Sequence, residues 1–167
     1  MDSPRNRSVD ILGVTVASTT RDGLFHTAFS WVKQNEKRII CYANAHVLNT
    51  AFQNDQLRSI LNRSDLVYAD GIGVVWASRY IYNIKLEKLT ARAWIHDFAS
   101  LAARNGIKIF LFGGMEGVSQ RASTLLLQAH PALQIVGDHP GYFSTGQELS
   151  LVEKINRAQP DILFVGL

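Results

Sequence analysis

The chain has 167 residues, of which 47% are hydrophobic and 19% are charged, and its formal net charge is +3. This length and composition are typical of one soluble globular domain with a substantial core. The small net charge argues against a nucleic-acid-binding protein and against a polybasic membrane anchor. The single cysteine, Cys41, excludes an internal disulfide framework and a cysteine-rich zinc site.

The amino-terminal residues are polar and contain no apolar core of signal-peptide length. No apolar run approaches the roughly 18 residues that a membrane-spanning helix needs. We therefore expect a cytoplasmic protein with one domain over residues 1–167, in which residues 1–7 are disordered.

Strands and helices alternate in the predicted order of elements. In the first half we predict strands at 9–18, 38–44 and 66–69, and helices at 21–34, 45–62 and 72–82. In the second half we predict helices at 91–104, 118–128 and 147–158, and strands at 107–112, 133–136 and 161–167. Asn105-Gly106 is a predicted helix end. This alternation predicts an α/β, Rossmann-like fold with a mostly parallel sheet and helices on both faces.

The last segment, at 161–167, has the apolar pattern of a central buried strand. A strand of a parallel sheet normally leads into a loop and a helix. We therefore expect the domain to be truncated at its C-terminus.

The end of the second predicted strand carries two polar side chains. Asn44 can donate and accept hydrogen bonds, and asparagine is also a favourable N-cap residue, so the residues alone favour a cap. His46 follows in the first helical turn, where a surface position and a ligand contact are equally compatible with the sequence.

The segment Asp70-Gly71-Ile72-Gly73 joins the third predicted strand to a helix. In a parallel α/β sheet such a junction lies at the edge where ligands bind. Asp70 would be stabilised as an anion by the amino end of the helix and could accept a proton. Gly71 and Gly73 permit either close approach to a ligand or a tight turn. The alternative is that Asp70 is a structural N-cap, which the residues alone slightly favour.

Two further groups are candidates for binding a diphosphate. Gly113 and Gly114 follow a strand and precede a helix, so their amides could cradle phosphate, although glycine pairs are common in turns. Lys88 and Arg92 could neutralise a departing diphosphate, and a solvated surface is the alternative. No His, Asp and Glu residues have convincing metal-ligand spacing, so we expect neither a metal nor another cofactor.

Several short motifs follow one another in a specific order. The first are Asn-Ala-His-Val-Leu-Asn at 44–49, Ser-Asp-Leu-Val-Tyr-Ala-Asp-Gly-Ile-Gly-Val-Val at 64–75, Glu-Lys-Leu-Thr at 87–90 and Phe-Gly-Gly at 112–114. They are followed by Val-Gly at 136–137, Gly-Tyr-Phe at 141–143, Ile-Asn at 155–156 and Pro-Asp-Ile-Leu-Phe-Val-Gly-Leu at 160–167. In this order the motifs resemble those of the WecG/TagA/CpsF glycosyltransferases over nearly the whole chain.

The resemblance implies an inverting enzyme that moves a sugar, of the N-acetylmannosamine type or another hexose, from a UDP-sugar to a polyprenyl-diphosphate-linked saccharide. The implied setting is bacterial exopolysaccharide, teichoic acid or surface-antigen biosynthesis at the inner face of the cytoplasmic membrane. Peripheral contact with the membrane and self-association are compatible with it, and no essential metal is implied. The resemblance implies that Asp70 is the general base, and that the substrates contact Asn44, His46, Gly71, Gly73, Lys88, Thr90, Gly113 and Gly114.

The chain departs from the family pattern, which usually has Glu-Arg-x-Thr-Gly-x-Asp at this chain's residues 87–93. Lys88 replaces the arginine, keeping the charge but losing the planar bidentate fork, and Ala93 replaces a carboxylate. The family also continues beyond residue 167 with Gly-x-Pro-x-Gln-Glu and a basic segment. The alternative function is therefore a catalytically impaired remnant that binds a nucleotide sugar.

A nicotinamide-dependent oxidoreductase is disfavoured, because no glycine fingerprint follows the first strand.

Overall fold

The computed structural model describes residues 8–166, and the predicted disorder of residues 1–7 lies outside them. Contacts divide the chain into two compact units, one ending at Trp94 and the other beginning at Ile95. Parallel strands occur in both units, which confirms the predicted α/β class. The prediction of a single domain over residues 1–167 stays a prediction.

The elements of the first unit are two strands, a helix, a strand, two helices, a strand and a helix. They are β1 (Ser8–Ile11), β2 (Val14–Ala17), α1 (Arg21–Lys33), β3 (Ile40–Ala43), α2 (Ala45–Gln53), α3 (Asp55–Arg63), β4 (Leu66–Ala69) and α4 (Ile72–Tyr82). Helix α5 (Ala91–Arg104) crosses the division. The second unit continues with β5 (Lys108–Gly113), α6 (Val118–Ala129), β6 (Gln134–His139), α7 (Glu148–Ala158) and β7 (Ile162–Gly166).

The single strand predicted at 9–18 is wrong, because the segment is a hairpin. Strands β1 and β2 pair antiparallel through a turn at Leu12 and Gly13, whose φ angles are 53° and 79°. The turn is supported by Asp10 Oδ1, which accepts a hydrogen bond from Gly13 N at 3.0 Å. The sequence conceals this turn, since a leucine rarely adopts positive φ and its neighbours Ile11 and Val14 favour strand.

The single helix predicted at 45–62 is also wrong, because Asn54 divides it into α2 and α3. Asn54 has extended backbone angles, with φ −129° and ψ 100°. Its side chain accepts a hydrogen bond from Leu57 N at 3.0 Å and so caps α3. Helix-forming residues on both sides of Asn54 predict one continuous helix, whereas the cap stabilises a break.

The remaining predicted helices agree with the structure to within one residue at each end. Gly106 has φ 66°, which confirms the predicted end of α5. Strand β6 is longer than the predicted 133–136, because Gly137-Asp138-His139 continue the ladder beside β5.

The core of the first unit contains residues from the hairpin, from the parallel pair β3–β4 and from helices α2 to α4. Burial of these side chains is the main free-energy term that holds the two strand pairs and the helices together. The buried members are Val9, Ile11, Val14, Val16, Ala43, Leu48, Ala51, Leu61, Val67, Ala69, Val74, Val75 and Leu86.

The second unit contains a parallel sheet in the order β6-β5-β7. Its central strand buries Phe110 completely, and a Cβ atom on Gly137 of β6 would lie 2.6 Å from the Phe110 ring. Among the described residues β7 pairs with β5 alone, and Leu163 and Val165 are 40% and 53% exposed. The predicted central buried strand is therefore a partly exposed edge strand of this sheet.

Candidate functional site

The parallel pair β3–β4 brings two predicted site residues to the same edge. Ala43 is paired with Ala69, and the next residues along are Asn44 and Asp70. The Asp70 amide donates to Ala43 O at 2.8 Å, which extends the ladder one residue past β4. Asn44 and Asp70 therefore lie side by side at the carboxyl edge, where open α/β sheets bind ligands.

Asn44 has the structural role that the residues favoured. Its side-chain oxygen accepts a hydrogen bond from Val47 N at 2.9 Å, so Asn44 is the N-cap of α2. The same side chain retains its amide N–H donors for a ligand. His46 lies exposed in the first turn of α2, and its contact with a substrate stays a prediction.

Asp70 is not a helix cap, so the structural alternative is wrong. The N-cap of α4 is Gly71, and no side chain caps this helix. Within residues 8–166 no donor hydrogen-bonds to the Asp70 carboxylate, which is only partly exposed. Such a carboxylate is available to accept a hydrogen bond or a proton from a ligand.

Tyr68, two residues earlier on β4, is electrostatically affected by this carboxylate. Burial raises the pKa of the Tyr68 hydroxyl far above its usual range, and the negative charge of Asp70 adds to the shift. The phenol therefore stays protonated. Its ring packs edge-on against Trp94 with centroids 6.5 Å apart, and Trp94 packs against Phe25 at 5.6 Å.

The two glycines after Asp70 differ in whether their backbone conformation favours glycine. Gly71 has φ 95°, a conformation that L side chains rarely adopt, and a Cβ atom there would lie 3.9 Å from Asn44 Cβ. Gly73 has ordinary helical geometry, and a Cβ atom there would lie 3.5 Å from Ala45 Cβ. The strand-to-helix turn thus passes directly over the start of α2.

The segment 86–90 lies against the same strand end and carries Lys88 and Thr90. Leu89 N donates to Ala69 O at 2.9 Å, and Leu89 O accepts from Trp94 Nε1 at 3.2 Å. Both backbone groups of Leu89 are thus occupied and its side chain is buried. Lys88 is exposed and Thr90 is partly buried, and the hydrogen bond of Leu89 fixes the backbone of this segment at the end of β4. The contact of Lys88 and Thr90 with a substrate stays a prediction.

Sequence reasoning missed the contributions of Glu87 and of the aromatic side chains. Glu87 Oε1 accepts a hydrogen bond from Arg21 N at 3.3 Å and so links this segment to the start of α1. The first backbone N–H groups of a helix need acceptors outside the helix, and this requirement is the signal that could have pointed to such a contact. The aromatic contacts join residues distant in sequence, which no local pattern reveals.

Gly113 and Gly114 lie in the second unit, at the carboxyl end of β5. A Cβ atom on Gly113 would lie 2.0 Å from Gly166 O, and one on Gly114 would lie 2.8 Å from Val118 Cγ1. The Gly114 amide already donates to Gly166 O at 2.9 Å. Packing within the unit therefore explains why both positions hold glycine, and the binding of phosphate by their amides stays a prediction.

A shallow depression of about 370 Å³ lies elsewhere in the second unit, along α6. It contains none of the predicted site residues. Within residues 8–166 no group of three or more His, Cys, Asp and Glu side chains could hold a metal ion. None of the helices in that range combines the length and the hydrophobicity needed to cross a bilayer.

Comparison with known proteins connects this geometry to a family. The model of the glycosyl transferase WecG/TagA/CpsF family matches residues 9–167. Proteins from Staphylococcus aureus strains MRSA252 and NCTC 8325 / PS 47 are 28% identical over 161 residues, which cover 95% of this chain. Both relatives are named N-acetylglucosaminyldiphosphoundecaprenol N-acetyl-beta-D-mannosaminyltransferase. The chain spans 63% of their length.

Proposed function

The chain belongs to the glycosyl transferase WecG/TagA/CpsF family, and on this premise we propose that the protein is an inverting glycosyltransferase. Its donor is a UDP-sugar, of the N-acetylmannosamine type or another hexose. Its acceptor is a saccharide on a polyprenyl diphosphate, as the names of the relatives suggest. The protein works in cell-envelope polysaccharide synthesis, in the cytoplasm at the inner face of the membrane.

The observation that carries this proposal is the Asp70 carboxylate. It lies beside Asn44 at the carboxyl edge of β3–β4 and has no hydrogen-bond donor among the described residues. A carboxylate that only caps a helix would be occupied by backbone amides. The Asp70 carboxylate is instead available for proton transfer with a substrate.

The proposed reaction is a single displacement at the anomeric carbon of the donor. The acceptor hydroxyl oxygen forms the new bond to that carbon, and Asp70 takes the hydroxyl proton. The bond from the anomeric carbon to the diphosphate oxygen breaks, and UDP leaves with the electron pair. Lys88, which precedes the residue that anchors its segment to the end of β4, is proposed to neutralise the charge that develops on the diphosphate.

The Asp70→Asn variant tests the role of the base. The amide cannot accept the proton, so we expect kcat to fall by about 10²–10⁴-fold. We expect calorimetric binding of the UDP-sugar to change little, since the shape of the side chain is retained. The matched control is Asp22→Asn, which alters an exposed carboxylate on α1 and should leave turnover unchanged. Wild-type turnover by Asp70→Asn would refute the assignment.

The alternative, a remnant that binds a nucleotide sugar without transferring it, is favoured by Lys88 and Ala93. Ala93 is exposed in the first turn of α5, where the family pattern has a carboxylate. Calorimetry with UDP and UDP-sugars, followed by a turnover assay on the same preparation, distinguishes the two functions. Binding with transfer supports the enzyme, and binding without transfer supports the remnant.

A further inference from the structure

Two tyrosines lie side by side on the strands that end at the candidate site. Tyr42 of β3 is aligned with Tyr68 of β4, and their ring centroids are 6.5 Å apart. Side chains alternate between the two faces of a strand, so Tyr42 shares a face with Asn44, and Tyr68 shares it with Asp70. The tyrosine pair therefore lies two residues back from the Asn44–Asp70 edge, on the same face of the parallel pair.

The exposed ring of this pair is close enough to the Asp70 carboxylate for one ligand to contact both. Tyr42 is 43% exposed. A strand rises about 3.3 Å per residue, so each tyrosine Cα atom lies about 7 Å from that of the site residue two positions along its strand. This span is on the scale of one sugar ring with its hydroxyl groups. The face of an aromatic ring carries partial negative charge, which attracts the partly positive C–H groups of a pyranose.

Tyr68 carries a hydroxyl that the protein itself does not use. The residue is only 8% exposed, and among residues 8–166 its hydroxyl has no hydrogen-bond partner. In the same range no completely buried side-chain nitrogen or oxygen lacks a partner, so the Tyr68 oxygen is reachable from the surface. A buried tyrosine normally uses its hydroxyl in a hydrogen bond. An unused hydroxyl beside the candidate site therefore points to an acceptor atom on a ligand.

The Tyr68 hydroxyl is fixed both in position and in protonation state. Its ring packs edge-on against Trp94, whose Nε1 donates to Leu89 O at 3.2 Å. Burial and the charge of Asp70 raise the pKa of this hydroxyl far above its usual range. Tyr68 is thus a permanent donor, and binding through it would cost little conformational entropy.

We propose that Tyr42 and Tyr68 form a sugar subsite beside Asp70. The Tyr42 ring packs against the apolar face of a hexopyranose, and the Tyr68 hydroxyl donates a hydrogen bond to one of its oxygens. That the ligand is a sugar rests on the proposed function. Donor and acceptor both bring a sugar to the reacting carbon, so the experiment has one arm for each.

Calorimetry on the whole chain tests the role of Tyr42. The ligands are UDP, UDP-N-acetylmannosamine and N-acetylglucosamine on a short, water-soluble polyprenyl diphosphate. Tyr42→Thr keeps a strand-forming residue but removes the ring, so one of the two sugar ligands should bind about threefold to tenfold more weakly. Binding of UDP should not change, and Tyr42→Phe should restore the lost affinity. The control Tyr80→Thr removes a tyrosine that is 93% exposed on α4 and should bind like wild type.

Tyr68→Phe tests the hydroxyl while keeping the ring. The same sugar ligand should bind about threefold to tenfold more weakly, because one hydrogen bond is lost. Resistance to unfolding by urea should not fall, since the hydroxyl has no partner within the described residues. The matched control is Tyr82→Phe, which removes a hydroxyl that donates to Asp10 O at 2.7 Å. That control should lose stability and keep all three affinities.

Steady-state kinetics then identify which sugar occupies the subsite. A higher KM for the donor in Tyr42→Thr assigns the subsite to the donor sugar, and a higher KM for the acceptor assigns it to the acceptor sugar. In either case KM should change more than kcat, as expected when substrate and transition state lose the same contact.

Failure of the subsite and failure of the proposed function give different results. Unchanged affinity for both sugar ligands in Tyr42→Thr or in Tyr68→Phe would overturn the role given to that tyrosine, even if wild type transfers sugar. If wild type bound neither sugar ligand, the proposed function would be overturned together with the subsite.

Discussion

Two junctions in this sequence have the same pattern of a strand, glycines and a helix. They differ in the structure in whether their polar groups have partners within the protein. At the end of β4, Asp70 keeps its carboxylate free of donors within the described residues, and a Cβ atom on Gly71 would make only an ordinary contact, 3.9 Å from Asn44 Cβ. At the end of β5, Gly113 and Gly114 are in close contact with Gly166 and Val118, and the Gly114 amide is already used.

This contrast shows that glycine at a sheet edge does not by itself identify a ligand site. A glycine can allow a ligand to approach, or it can allow another strand of the same protein to approach. What distinguishes the two cases is whether the polar groups at the junction have partners inside the protein. By that criterion the β4 junction is the better candidate for chemistry.

The largest effect on stability is expected from Gly113→Ala. Its Cβ atom would lie 2.0 Å from the backbone oxygen of Gly166, so two paired strands would have to separate. We expect a loss of at least about 3 kcal/mol in the free energy of unfolding, measured with urea. Gly117→Ala is the control, because Gly117 also has positive φ but no atom within 4 Å. Equal losses in both variants would show that backbone strain, not contact, accounts for Gly113.

A smaller effect is expected from Gly71→Ala. The position has φ 95°, but the nearest atom to an added Cβ, Asn44 Cβ, is 3.9 Å away. The cost is therefore backbone strain alone, about 1–2 kcal/mol in the same unfolding measurement. A loss as large as that of Gly113→Ala would erase the difference between the two junctions.

The smallest effect on stability, and the sharpest test of ligand approach, is expected from Gly73→Ala. Alanine favours a helix more than glycine by up to about 1 kcal/mol, and the added Cβ would make an ordinary contact with Ala45. Stability should thus be unchanged or slightly raised. If a substrate passes close to the turn, calorimetry should show weaker UDP-sugar binding, and unchanged affinity would remove Gly73 from the site.

Much of the candidate site was predictable, because it depends on local patterns. The apolar run that ends at Asp70 predicts a strand followed by a helix, and parallel pairing then places Asn44 at the same edge. The role of Asp70 as a cap could not be judged from sequence. Asp70 would be the N-cap if α4 began one residue earlier, but the helix begins at Ile72 and Gly71 occupies the cap position.

The errors in the fold have a common physical origin. The hairpin at Leu12 and the break at Asn54 each depend on a residue whose conformation is stabilised by a specific hydrogen bond. Periodicity averages over several residues and is insensitive to such a contact. The prediction of a central strand at 161–167 fails for another reason, since among the described residues β7 pairs with β5 alone. An apolar run does not reveal how many neighbours a strand has.

The sequence by itself determined the α/β class, the order of most elements and the family, because these depend on periodicity and on motifs that are local in the chain. Only the tertiary structure decided which polar groups were left without partners. Among the described residues it left the Asp70 carboxylate without a donor and occupied the amide of Gly114. The physical reason is that satisfaction and burial depend on residues distant in sequence, such as Gly166 for Gly114 and Asp10 for Tyr82.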